Sequence, residues 1–251
     1  MTTHRFFLPD AVLVPGQPVD LTPLARQLAR VLRLHTGAEI HLLDNRGACF
    51  LTRIETLDDH HGTGTVLAAE EIGGEPAARL TLYQCSLKAD KFEWVLQKGT
   101  ELGVAGFVPV VSTRSVVRPV TALAKKMDRW QAIIREAAEQ AGRARLPTLH
   151  APLTFDQAVG HATGQRFLPW EEADNRAPGL GDLVARTRPD ALALLVGPEG
   201  GIAPEEAALA MRHGWQPVTL GPRILRAETA ALAAVTIALD RLGELAGAPH
   251  N

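Results

Sequence analysis

Two cysteines, Cys49 and Cys85, are all the thiols this chain carries. That number excludes a disulfide framework, and their separation gives no metal-ligand spacing. The expectation is a pair of reduced, buried thiols in a cytosolic protein. Excess charge is missing too: the net charge is −2, so the molecule as a whole does not advertise a polyanionic partner. Any nucleic-acid surface would have to be a local patch. No apolar run approaches the roughly 18–20 residues that span a bilayer, which excludes a helical membrane anchor. The opening MTTHRFFLPD has no apolar h-region, so no signal peptide is expected and the protein is read as soluble and cytoplasmic. The nine histidines show no ligand spacing, so no metal is expected. No internal repeat, low-complexity tract, Ser-His-Asp or Cys-His arrangement emerges from position either.

What is present is an ordinary globular composition, 46% apolar and 22% charged over 251 residues, enough for one large or two small cores. Residues 1–72 predict a small β-rich domain. PLARQLARVLRL places Leu24, Leu28, Val31 and Leu32 on one helical face. Asp44-Asn45-Arg46-Gly47 reads as a hairpin turn between two apolar runs. GGEPAA, residues 73–78, combines turn residues with a charge and reads as a linker. Residues 79–251 then alternate strands and helices. Strands are predicted at 79–87, 106–111, 165–170, 191–197 and 216–221. Helices are predicted at 91–103, 128–142, 204–213 and 227–246. Alternation of this kind predicts an α/β domain with a mostly parallel sheet.

Two loops carry the functional argument. In LLVGPEGGIAPEE an apolar strand stops at Gly197-Pro198-Glu199-Gly200-Gly201, and a helix restarts at Pro204 with Glu205 and Glu206 at its positive end. Ligands of open α/β sheets sit beyond the carboxyl ends of strands, where this loop lies. Paired glycines let a ligand approach the main chain. The spacing fits neither phosphate-loop pattern, and Glu199 would repel phosphate, so the expected ligand is not a polyphosphate. In TLGPRILRAETAALAAV a second strand ends in Gly-Pro and a second helix follows. Arg223, Arg226 and Glu228 sit on this link. The helix is rich in small residues (Ala227, Ala230, Ala231, Ala233, Ala234, Ala238), which allows close approach to a neighbouring backbone or subunit. One ligand pocket built from both loops is predicted.

These two loops, with LQKGTELGV, VSTRSVV and REAAEQAGR, resemble the SPOUT superfamily of knotted RNA methyltransferases. Within it they resemble the family that methylates N3 of a uridine in 16S ribosomal RNA of the small subunit. HRFFL and the β-rich first domain resemble that family's RNA-binding, PUA-like barrel domain. The resemblance implies a trefoil knot at about 165–235, a homodimer with the last helix near its interface, and S-adenosylmethionine as cofactor. Carried onto this sequence, it places cofactor contacts on Leu195, Gly197, Pro198, Glu199, Gly200 and Gly201, and on Leu220, Gly221, Ile224, Leu225, Arg226 and Ala227. A third loop, Leu168 to Glu171, is expected to close the site. The chain departs from the family pattern at Ile202-Ala203, at RAETA, at EQAGR and at Gly99. An alanine N-cap at Ala203 forgoes about 0.5–2 kcal/mol, and a mid-helix glycine at Gly99 costs about 1 kcal/mol.

The implied chemistry is attack by uracil N3 on a sulfonium methyl group. Arg226 is the expected stabiliser of the charge developing on the base, with Glu228 holding it and Arg223 as a second cation. The base must be single-stranded or flipped out, and Trp170, Phe6 and Phe7 are candidate stacking partners, with a core role equally open for each. Residues 113–146 carry eight cations (Arg114, Arg118, Lys125, Lys126, Arg129, Arg135, Arg143, Arg145) against three acids, a plausible phosphate-contacting surface. The first domain is net acidic, so Arg5 and Arg46 are its expected RNA contacts. A non-catalytic RNA-binding or assembly factor on the same scaffold, and a SPOUT enzyme acting on another base or on the ribose 2′-OH, are the alternatives.

Overall fold

The computed structural model describes residues 4–88, 90–172 and 177–246. The chain divides into two compact units: one runs up to Glu75 and adds Ala138–Leu146, the other comprises Pro76–Ala137 and everything from Pro147.

The first unit holds β1 (Arg5–Phe7), β2 (Pro18–Asp20), β3 (Glu39–Leu43), β4 (Ala48–Leu57) and β5 (Gly62–Glu71), in the sheet order β1-β3-β4-β5-β2. β1 runs parallel to β3, and the remaining pairs are antiparallel. The hairpin between β3 and β4 closes as the turn residues require. Asp44 Oδ1 accepts from the amides of Arg46 (2.7 Å) and Ala48 (3.0 Å), while Asn45 and Gly47 take φ values of 61° and 113°. The expected helix over 23–34 is only partly regular: a 3-10 turn at Thr22–Leu24 is followed by a π-helical turn at Gln27–Val31. The wider winding rotates Val31 off the apolar face, leaving it 72% exposed while Leu24 and Leu28 stay buried. Phe6 and Phe7 are both core residues, so neither is a stacking surface.

Segment 138–146 joins this unit chiefly at Glu75. Glu75 accepts from Arg143 Nη2 (2.8 Å) and Nε (3.2 Å), and from the amides of Ala144 (2.9 Å) and Arg145 (3.1 Å). Asn45 Oδ1 adds a bond from the Leu146 amide at 2.7 Å, and Glu139 accepts from the Phe7 amide at 2.9 Å. The boundary at residue 72 therefore misses a segment that long-range hydrogen bonds, not local pattern, assign.

The second unit contains β6 (Arg79–Cys85), α1 (Asp90–Leu102), β7 (Gly106–Val111), α2 (Val120–Ala124) and α3 (Met127–Ala141), the last turn of α3 falling in the first unit. It continues with β8 (Thr148–Leu149), β9 (Leu153–Thr154), α4 (Phe155–His161), β10 (Gln165–Pro169) and α5 (Leu180–Thr187). It ends with β11 (Ala191–Val196), α6 (Pro204–Arg212), β12 (Gln216–Val218) and α7 (Ala227–Leu242). The sheet order is β12-β10-β11-β6-β7-β8, with β9 also on β7, and every pair is parallel. Both faces are covered, which is why the strands read as continuous apolar runs. Leu192, Leu194 and Val196 of β11 enter the core shared with α1, α5 and α7; Ala193 and Leu195 enter the opposite core with Phe155, Ala207 and Trp215. The alanines of α7 serve this packing: Ala231, Ala234 and Ala238 are fully buried beside α1 and α5. Glu244 accepts from the amides of Ala77 and Ala78 at 3.1 and 3.0 Å, tying the turn after α7 to the entry of β6.

Gly99 has a packing reason. A Cβ there would stand 2.9 Å from Cε1 of Phe107, a ring 1% exposed in the core. Gly99→Ala is expected to lower the melting temperature: overpacking of about 1–3 kcal/mol outweighs the helix-propensity gain of about 1 kcal/mol. A thermal melt equal to or above wild type contradicts this reading.

Candidate functional site

Parallel strands put their carboxyl ends on one edge of the sheet, and β6, β10, β11 and β12 all deliver their following loops there. Gln84, fully buried near the end of β6, fixes this edge. Its Nε2 donates to the carbonyls of Cys85 (3.0 Å), Gly197 (3.2 Å) and Val196 (3.4 Å). The loop after β11 thus leaves the sheet at a set point. Its next anchor is Glu199, whose Oε1 accepts from the Lys88 amide at 3.1 Å.

Two adjoining cavities open on this edge. One, of about 300 Å³, is lined by Val196, Gly197, Pro198, Glu199, Gly201 and Ile202, by Pro169, Trp170 and Glu171, by Ile224, Leu225, Arg226, Ala227 and Ala230, and by Lys91. The other, of about 490 Å³, shares Pro169, Trp170, Glu171, Ile224, Leu225 and Ala230 and adds Ala177, Val218, Thr219, Leu220, Gly221, Pro222 and Arg223. The loops after β10, β11 and β12 therefore converge on one site, as the sequence reading expects. Trp170 braces it, donating from Nε1 to the Ile202 carbonyl at 3.3 Å.

Several expected contacts are displaced. Leu168 and Leu195 are fully buried and point into the core beneath the sheet, so strand alternation gives their places in the wall to Pro169 and Val196. Gly200 does not line either cavity: a Cβ there would meet Cβ of Arg114 at 3.2 Å, so this glycine admits the neighbouring chain rather than a ligand. Gly201 does face the cavity, with a φ of 71°.

Glu228 is ion-paired to Lys91 at 3.2 Å, and among the described residues Arg226 has no ion-pair partner. The expected Arg226–Glu228 pair is thus corrected to Lys91–Glu228. Burial pushes the Glu228 carboxyl up, but its own backbone amide, Lys91 and Arg226 pull it down further, and it ends below the ordinary range. Lys91 Nζ also lies 3.9 Å from Glu199, so one ammonium stands between the two loops. Sequence reasoning passed over Lys91, which sits on the polar side of α1 with no motif around it. The missing side-chain cap at Ala203 is confirmed, and Glu206 compensates. Its Oε2 accepts from the Ala203 amide at 3.3 Å, and its Oε1 accepts from Thr113 N at 2.8 Å and Thr113 Oγ1 at 3.1 Å.

The cationic stretch is less open than its count suggests. Arg129 makes a two-pronged pair with Glu93 at 2.7 Å, and Arg114 donates to the Gly200 carbonyl (3.1 Å) with Glu172 at 3.7 Å. Arg143 is 5% exposed and committed to Glu75, which removes it from any phosphate surface. Arg118 is exposed and donates to the Thr113 carbonyl at 3.3 Å. In the first unit Arg46 is exposed on its hairpin. Arg145 holds its guanidinium against Gly47, and Arg5 lies against Gly142 with a buried Nε that has no hydrogen-bond partner among the described residues. Strand pairing there also brings His41, Cys49 and Glu70 within 4.8 Å, a grouping no linear spacing reveals; His41 Nε2 lies 2.8 Å from Glu70. Both cysteines are buried and free, and burial pushes the Cys85 thiol up to about 12. Among the described residues no helix is long and apolar enough to cross a membrane.

A parallel α/β sheet with a looped cavity at its carboxyl edge defines the class, and residues 74–239 match the model of the RNA methyltransferase domain. The ribosomal RNA small subunit methyltransferase E of a Synechocystis strain is 37% identical over 241 residues, covering 93% of this chain and 77% of that one. A crystal structure of the Neisseria gonorrhoeae methyltransferase E bound to S-adenosyl methionine is 34% identical with a TM-score of 0.85, covering 95% of this chain and 97% of that one. The Legionella pneumophila protein Lpg2936, solved in complex with the bound cofactor SAM, is 32% identical with a TM-score of 0.86, covering 96% of this chain and 98% of that one. The chain belongs to the ribosomal RNA small subunit methyltransferase E family.

Lys91→Met is expected to leave Glu199 and Glu228 without their shared cation and to destabilise the protein by roughly 0.2–1 kcal/mol at neutral pH, the range for partly exposed pairs. Because the folded-state pKa of Glu228 is depressed, its contribution is present above the unfolded carboxylate value of about 4.3 and lost as pH falls through the folded one. Denaturant melts of both proteins between neutral and acid pH check this: the gap must close on acidification, and a gap that widens contradicts it.

Proposed function

We propose that this protein is an S-adenosylmethionine-dependent methyltransferase acting on N3 of a uridine in 16S ribosomal RNA of the small subunit. The observation that carries the reading is the convergence of three strand-end loops on one cavity system with an apolar and an acidic part. Its residues fit the cofactor. Val196, Ile224, Leu225 and Ala230 offer an apolar wall for an adenine ring, while Glu171 and Glu199 offer carboxylates to a ligand carrying ammonium and sulfonium charge. Gly201 and Gly221 have positive φ, and nothing lies within 4 Å of a Cβ at Gly221, so main-chain atoms can meet the ligand directly. When bound, the cofactor supplies an electrophilic methyl group on sulfur.

The chain's own residues supply position and charge. The N3–C bond forms as the S–C bond breaks, and the N3 proton leaves to a base or to water. Negative charge that develops on the uracil carbonyls lies toward Arg226, which has no ion-pair partner among the described residues and so keeps its charge available. Lys91 holds Glu228. Fixing the two reactants in line can lower the barrier by about 7–11 kcal/mol. The first unit is proposed as the PUA-like RNA-binding domain, with Arg46 and, on the second unit, Arg118 facing RNA. A trefoil knot over about 165–235, a homodimer and a cytoplasmic location complete the reading.

Mass spectrometry of digested 16S rRNA from cells lacking this protein should show 3-methyluridine lost and then restored by the wild-type gene; an unchanged nucleoside profile rejects the assignment. Arg226→Ala should abolish restoration while cofactor affinity, measured by calorimetry, falls only modestly. Gly201→Val should lose cofactor binding itself, because its φ is one that valine disfavours and a Cβ there collides with the Glu171 carboxylate of the cavity wall. Normal binding by Gly201→Val places the cofactor elsewhere.

A further inference from the structure

On α1 the buried stripe of Phe92, Val95 and Leu96 faces the core, and Trp94 stands away from it, 44% exposed. Trp130 and Trp215, by contrast, are almost fully buried. An indole left in water beside charged groups calls for an explanation that core packing does not give. Trp94 lines a third cavity, of about 410 Å³, with Asp90, Lys91, Arg226, Glu228 and Thr229. Lys91 and Arg226 also line the 300 Å³ cavity, so the two spaces adjoin across these two cations.

We propose that the Trp94 cavity receives the base of the target nucleotide, stacked on the indole with its carbonyl oxygens toward Lys91 and Arg226. This rests on the methyltransferase reading and names the acceptor's place within it. The chemistry of the walls selects the occupant. A flat aromatic face suits a planar ring, and base-on-aromatic stacking is the common way an unpaired base is held. Uracil presents two carbonyl acceptors on its rim, and the two cations at the shared boundary supply donors for them. A cavity of about 410 Å³ falls within the range of roughly 300–1,000 Å³ typical of small-molecule sites. Methyl transfer also requires the acceptor atom next to the donor, and this cavity shares its cationic wall with the proposed donor site. Glu228, held by Lys91 at 3.2 Å, keeps that wall from being purely cationic and leaves room for a neutral base rather than a phosphate. The rival occupant is a second copy of this chain covering Trp94.

The test uses small ribosomal subunits from cells lacking the protein as substrate, with Trp94→Ala and Trp94→Phe compared with wild type. Stacking on a single aromatic predicts that Trp94→Ala raises KM for the particles about tenfold or more, whereas Trp94→Phe, which keeps a ring, stays within about threefold. Calorimetric affinity for S-adenosylmethionine should remain within about twofold of wild type in both variants, which also shows that they fold. Sedimentation should show the same oligomeric state for all three proteins. Unchanged KM and kcat in Trp94→Ala overturn the base site alone. A loss of oligomer in Trp94→Ala assigns the patch to a second copy and overturns it too. Wild-type protein that leaves the particles unmethylated overturns the methyltransferase reading itself.

Discussion

Two carboxylates, Glu199 on the loop after β11 and Glu228 in the first turn of α7, have the ammonium of Lys91 between them at 3.9 and 3.2 Å. Gln84 and the buried Ile202 hold the loop after β11 to the sheet. Lys91 adds the link from that loop to the start of α7, and it does so from a helix packed through Phe92, Val95 and Leu96. The pair energies are small, as expected for partly exposed groups. Their consequence is geometric: Arg226 sits at the boundary of two cavities with its charge unspent, because Lys91 has taken the carboxylate that neighbours it in sequence.

That neighbouring carboxylate shows where sequence reading succeeds and where it stops. Gly197 to Gly201 and Leu220 to Ala227 are legible as loops of one pocket because glycine, proline and the strand-to-helix change are local signals, and the structure brings both to one cavity edge. The strand and helix pattern from residue 79 onward is legible for the same reason, although the strand expected at 216–221 ends at Val218, the helix expected at 227–246 ends at Leu242, and α4, α5 and the short α2, β8 and β9 carry no pattern that reveals them. Pairing is a different matter. Arg226 and Glu228 are two apart, and proximity in sequence suggests an ion pair; a lysine more than a hundred residues earlier takes the acid instead. Arg143 and Glu75 show the same thing in the first unit, where a cation counted toward an RNA surface is an interior strut.

Counting charges along a stretch therefore overstates a surface. Of the eight cations between 113 and 146, Arg129 is neutralised by Glu93, Arg143 by Glu75, and Arg114 is turned toward Gly200 and Glu172. What remains outward is a thinner field than the sequence excess implies. Recognition of an RNA by such a surface leans less on long-range attraction and more on placed contacts, an exposed ring and a few oriented donors, and its affinity should depend correspondingly less on salt.

The glycines make the last distinction. Gly200 and Gly201 are adjacent and look equivalent in the sequence, yet one is small because Arg114 passes beside it and the other because the cavity wall needs a left-handed residue. The first sets how the loop after β11 leans on the segment after β7; the second sets what can touch its main chain. A substitution at Gly200 would therefore press on the Arg114 segment, and one at Gly201 would press on the Glu171 carboxylate in the cavity wall. Sequence shows that the chain needs two small residues in a row, and only the fold shows that it needs them for separate reasons.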